Sequence, residues 1–171
     1  QYGTGDDRRF LAVGNFYDTV IGAYYGRSES YLQFGLNVPD GAVIEGGSLS
    51  MRRYANGGAG FEAKTARLTT PLNANIGSSR NQFQPKAGVY STVSIDSGDL
   101  DFREYNFDIS TLVREWKNGT FPNYGVAVYS DTNVTDSGAA FCSTRSDSLC
   151  TSDKAPKLYV YYSLNHAPFK P

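Results

Sequence analysis

At 171 residues with 40% hydrophobic side chains, the chain is the length of one domain and can bury a core of its own, which excludes wholesale disorder. Its 16 basic and 17 acidic side chains leave a net charge of −1, so neither nucleic acid nor an anionic membrane surface is an expected partner. The 13 Tyr, 10 Phe and 18 Gly, against one Trp, one Met and one His, favour strands and turns, since Tyr suits a half-buried pleated face and Gly the tight turn.

After an N-terminal arm at 1–9, the stretch Phe10 to Ile21 is suited to adding a strand to another subunit's sheet edge. From Tyr31, the residues Leu32, Phe34 and Leu36 alternate with Tyr31, Gln33 and Gly35, the period of a strand with one buried face, and Asn37-Val-Pro-Asp-Gly41 ends it. Val43 and Ile44 resume apolar character, and Leu49 and Met51 alternate with Ser48, Ser50 and Arg52 up to a turn at Asn56-Gly57-Gly58. From Gly60 to Arg67, Phe61, Ala63 and Thr65 oppose Glu62 and Lys64, the pattern of an outer strand. Leu68 to Gly88 is predicted to be a long irregular loop.

Val89, Ser91, Val93 and Ile95 then oppose Tyr90, Thr92 and Ser94, followed by an acidic connector at Asp96-Ser-Gly-Asp-Leu-Asp101. Tyr105, Phe107 and Ile109 alternate into Ser110, an N-cap for one or two helical turns carrying Leu112, Val113 and Trp116 and stopped by Asn118-Gly119. Trp116 shares the helical face of Leu112 and Val113, which makes it a core anchor. Gly125 to Tyr129 and Ala139 to Cys142 are short strands, and Lys157 to Leu164 closes the domain with Leu158, Val160 and Tyr162 opposite Tyr159 and Tyr161. Roughly eight or nine short strands separated by turns predict an all-β chain, an antiparallel jelly-roll-like β-sandwich with one short helix. Residues 1–171 form a single domain in this reading, with a C-terminal tail at 165–171.

Cys142 and Cys150, eight positions apart across a polar loop, suit a disulfide that pins that loop and stabilises by about 2.5 kcal/mol. Two free buried thiols are the alternative. A tetrahedral metal site is disfavoured, because the lone His166 lies in the tail and no second Cys pair exists. Asn118-Gly119-Thr120 and Asn133-Val134-Thr135 are N-glycosylation acceptors in turn-rich sequence. With the cysteine pair, the absence of an apolar run near 18 residues and a start at Gln1, they predict a secreted glycoprotein whose leader has been removed, outside the cell or at its surface, with no membrane insertion.

The order of motifs also resembles one family. Ser30-Tyr-Leu-Gln-Phe-Gly-Leu36 followed by Pro39-Asp-Gly-Ala-Val-Ile44 is similar to the opening of DNRLRE-type domains. Phe107-Asp-Ile-Ser-Thr-Leu-Val-Arg-Glu-Trp116, Asn118-Gly119, Asn123-Tyr-Gly-Val126, Phe141 with Ser143, and Ala155-Pro-Lys-Leu-Tyr-Val-Tyr-Tyr162 resemble its second half. The likeness runs from about Val20 to Tyr162, and Leu68 to Gly88 stands without Trp where the family carries a Trp-rich stretch. The resemblance implies an extracellular jelly-roll sandwich of the kind found in polysaccharide-active enzymes and cell-surface proteins, some of them carbohydrate-binding modules, and so a non-catalytic role.

Read as sites, the residues give several expectations. Catalysis is disfavoured, although Asp99, Asp101, Glu104 and Asp108 are the densest carboxylates for glycoside hydrolysis. Asp96, Asp99 and Asp101, with Asp6 and Asp7, are candidate oxygen ligands for Ca2+, the one cofactor the sequence raises, without the ordered spacing of an EF-hand loop. Sugar faces stack on exposed rings, and Tyr24, Tyr25, Tyr54, Phe83 and Tyr90 are the candidates. Phe10 and Phe169, in or beside the two ends, are candidate assembly contacts. The leading expectation is a subunit of an extracellular filament, stalk or matrix, with copies of itself or other surface proteins as partners. The alternative is a carbohydrate-binding module with polysaccharide as its partner.

Overall fold

The computed structural model describes residues 10–18, 23–56, 58–72, 83–97, 102–145 and 149–164. Asp6, Asp7, Asp99, Asp101, His166 and Phe169 lie outside these residues, as do the side chains of Phe10, Tyr24 and Tyr25. In chain order the elements are β1 (Phe10–Asp18), β2 (Ala23–Ser28), β3 (Ser30–Leu32), β4 (Ala42–Asn56), β5 (Phe61–Leu68), β6 (Lys86–Ile95), β7 (Glu104–Asp108), α1 (Ser110–Lys117), β8 (Val126–Tyr129), β9 (Ser137–Cys142) and β10 (Lys157–Leu164), with a 3-10 turn at Ser152–Lys154.

The strands form two antiparallel sheets. One runs β10-β4-β9-β1-β2, with β7 also paired to β4, and the other runs β3-β8-β5-β6. The 15-residue strand β4 organises the first. Ser48 pairs with Tyr159 of β10 on one side and Asp108 of β7 on the other, while Arg53 to Asn56 pair with β9. The inward residues meet between the sheets: Val13, Leu49, Met51, Phe107 and Phe141 from one side, Phe61, Ala63, Ile95, Val126 and Val128 from the other. Close packing of these side chains is the main source of stability.

The alternation read from Leu49–Met51 and from Tyr105–Phe107–Ile109 is the buried face, as expected. Helix α1 buries Leu112, Val113 and Trp116 against β4. Gly119, at φ +71°, ends it: its amide donates to the Trp116 carbonyl at 3.2 Å and that of Thr120 to the Glu115 carbonyl at 2.9 Å. Ser110 is the first helical residue rather than its cap. The Asp108 carboxylate accepts from the Ser110 amide at 2.9 Å and from its hydroxyl at 2.6 Å.

Four further expectations change. The stretch from Phe10 is spent in its own sheet, where Phe10 pairs with Cys142 and β1 lies between β9 and β2. Strand β5 is interior, between β8 and β6. Pairing after Leu32 stops, because Asn123 intervenes: its side-chain amide donates to the Phe34 carbonyl at 2.9 Å while its own carbonyl accepts from the Gln33 side chain at 3.0 Å. Finally, β6 bulges opposite Thr65 to Arg67. Residues 88–90 stand there against Ala66 alone, two more than regular pairing needs, and Val89 turns out to 59% exposure while Tyr90 packs on the core.

Candidate functional site

Cys142 and Cys150 form a disulfide, with a Cα–Cα distance of 5.3 Å. It pins the crossing from β9 to β10, two strands that occupy successive stretches of one side of β4. Asn118, at the end of α1, and Asn133, between β8 and β9, are both exposed, as an acceptor must be.

Among the described residues, the acidic candidates Asp96, Glu104 and Asp108 are each committed to a protein partner. Asp96 pairs with Arg103. Glu104 accepts from the Ser50 hydroxyl at 2.7 Å and from Arg52 at 2.8 Å. Asp108 holds the start of α1, and its two bonds from Ser110 keep its carboxyl below the usual range. Among the described residues, no group of three or more His, Cys, Asp or Glu side chains could hold a metal. A shallow cleft of about 410 Å³ at the ends of β5 and β6 offers only Glu62 and the already paired Asp96 as charged lining.

Among the described residues, the expected sugar-stacking rings Tyr54, Phe83 and Tyr90 each have their own partners. Tyr54 is half-buried and meets Phe102 edge-on at 6.1 Å. Tyr90 donates to Glu115 at 2.5 Å, and burial, reinforced by that carboxylate, pushes its hydroxyl up to about 12. Phe83 is exposed but sits between the Arg27 and Lys86 cations, at 5.7 and 5.6 Å. Trp116 is buried, as its helical position predicts.

Two features escape the sequence reading. The first is a charge network around Glu29, whose carboxylate has no solvent exposure. Lys86 donates to both of its oxygens at 2.9 and 2.7 Å, and the Tyr31 hydroxyl donates at 3.1 Å while accepting from the Gln84 amide at 3.0 Å. Burial above all raises the Tyr31 hydroxyl far beyond its ordinary value. The network joins β3, β6 and the segment before β6, and it is a structural clamp, since removing one partner of a buried pair strands the other.

The second is the outer face of β10 and β4. Tyr159 and Tyr161, two apart on β10, project outward at 40% and 58% exposure. Tyr161 lies over Gly46, its ring 3.5 Å from where a Cβ would stand. Successive rows cross the sheet as Tyr159–Ser48–Asp108 and Lys157–Ser50–Asn106. An aromatic rail, a lane of small residues and a polar rail thus lie side by side. The signal was present as the Tyr159/Tyr161 alternation, but covering a core and lining an exposed edge give the same period. Set against known proteins, the chain matches no family model and no curated sequence.

Proposed function

We propose that this chain is a secreted, non-catalytic glycoprotein that works by association, as a subunit of an extracellular filament, stalk or matrix. The observation that carries the reading is β10, a long strand at the margin of its sheet that leaves Tyr159, Tyr161 and Tyr162 exposed beside Val43. Exposed apolar surface gathered on one strand is what an association surface supplies and what an isolated monomer avoids. The disulfide supports the extracellular setting, and the two exposed Asn-x-Thr acceptors support glycosylation. A jelly-roll winding of the two sheets, and kinship with DNRLRE-type domains, belong to the same proposal.

A second reading is favoured by the rows beneath the tyrosines. Rings at Tyr159 and Tyr161 could stack on the apolar faces of a polysaccharide while Asp108 and Asn106 bond its hydroxyls. One experiment addresses both: light scattering and electron microscopy of the glycosylated protein over a range of concentration, with retention on insoluble polysaccharides in the same preparations. Concentration-dependent polymers are expected, and single copies at every concentration overturn the assembly reading. Retention that vanishes in Tyr161→Ala would carry the second reading in its place.

A further inference from the structure

Among the described residues, β4 pairs one side of β10 and no strand meets the other. Such an edge templates pairing with another chain unless charge, proline, a bulge, shortness or a cover blunts it. The other margins carry these devices. β3 has three residues, and β7 has five, with exposed Glu104 and Asp108. β6 has Lys86 and a bulge, and β2 has Arg27 and an irregular register. From Leu158 to Ser163, β10 contains no charge, proline or glycine, and the register shift at Tyr161/Tyr162 places its extra residue, Glu45, on β4 and not on β10.

We propose that β10 pairs antiparallel with β10 of a second copy, about a two-fold axis at Val160. The inference rests on the assembly reading above and names the contact and the partner. Residues opposite each other in antiparallel strands share a face, so the outward Tyr159 and Tyr161 must meet outward residues. Centring on Val160 places Tyr159 against Tyr161 of the second copy, twice over, and Val160 against its own copy. Lys157 then stands opposite Ser163 of the second copy. The Ser163 hydroxyl donates to Glu45 Oε1 at 2.7 Å, so each Lys157 ammonium arrives beside a Glu45 carboxylate. Centring on Tyr161 would oppose Tyr159 to Ser163 and carry Lys157 past it, losing both matches. The charge complementarity therefore selects both the occupant and the register.

The test is sedimentation of the whole protein across concentration, with hydrogen exchange of the β10 amides. The wild type is expected to form a two-fold pair whose β10 amides gain protection as it forms. Tyr159→Lys/Tyr161→Lys sets like charges opposite one another and should raise the midpoint concentration at least about tenfold. Lys157→Glu should weaken the pair in the same direction, and adding Glu45→Lys should restore it. Both positions of the charge test, Lys157 and Glu45, are exposed, so these variants keep the proposal falsifiable if the tyrosine variant fails to fold. Association indifferent to every β10 variant overturns the pairing and leaves the assembly reading standing. A wild type that sediments as single copies throughout overturns both, and protected β10 amides in such a monomer would assign the edge to a segment of the same chain.

Discussion

Along residues 44–47, one side of β4 faces helix α1 and the other faces β10, and the two meet the same requirement with different chemistry. On the helical side, the backbone groups that a strand would have satisfied are taken by side chains and by the chain entering the helix. Ser110 Oγ accepts from the Gly47 amide at 2.9 Å, the Ile109 amide donates to the Gly47 carbonyl at 2.9 Å, and Arg114 donates to the carbonyls of Ile44 and Glu45 at 3.1 and 2.7 Å. Gly47 lets the helix in, for a Cβ there would stand 2.6 Å from Val113 Cγ2. On the other side a strand does the pairing and passes the same unmet requirement outward to its own far edge. A covered flank ends a sheet, whereas a strand-bearing flank postpones its ending.

Deleting one aromatic ring on each flank should separate the two sharply. Trp116→Ala empties a buried site and should cost about 3–5 kcal/mol, a large part of the stability of an ordinary domain. Tyr159→Ala removes an exposed ring and should change stability by no more than about 0.5 kcal/mol. Chemical denaturation followed by circular dichroism reads both. Equal losses at the two sites would mean that the β10 face is part of the core and would remove the contrast.

That contrast also marks what the sequence can show. Alternation at Leu49–Met51 and Tyr105–Phe107, the helix with its Asn118-Gly119 stop, and the cysteine pair were all legible, because each depends on neighbours a few positions away. Two misreadings and one omission share one cause. Val89 was placed inward because the bulge that turns it out is created by the register of β5, a partner some 25 residues earlier in its pairing at Thr65 and Ser91. The stretch from Phe10 was offered to another subunit because its true partner, β9, lies at the far end of the chain. Tyr159 and Tyr161 were set opposite Leu158, Val160 and Tyr162, but the exposed surface they form went unread because strand order, which makes β10 marginal, is not written in β10. The Glu29 clamp had no local signal at all, since its lysine is 57 positions away.

Breaking the cover itself is the next test in size. Arg114→Ala leaves the carbonyls of Ile44 and Glu45 to water, and because this side chain is largely solvent-facing the expected loss is about 1 kcal/mol. The accompanying effect is the sharper one: an uncovered flank should raise self-association, visible as a larger scattering radius at equal concentration. A variant that is weakened but no stickier would show that burial of Val113 and Trp116, and not the arginine, guards this margin.

The smallest effect lies where that cover begins. Asp108 accepts both Ser110 bonds at the first turn of α1, and these bonds hold its carboxyl below the ordinary value of 3.8. A carboxylate that is more acidic folded than unfolded stabilises the fold fully above the unfolded value, and that contribution disappears as pH falls through the folded one. Asp108→Asn should therefore melt slightly below the wild type at neutral pH, with the two melting temperatures converging below pH 3.8. Because Asp108 is exposed, solvent screening keeps the gap small, and added salt should narrow it further. A gap that persists unchanged in acid would mean that the Ser110 contacts act through the geometry of the turn and not through the charge, leaving Ser110 and Arg114 to fasten the helix to β4 by hydrogen bonding alone.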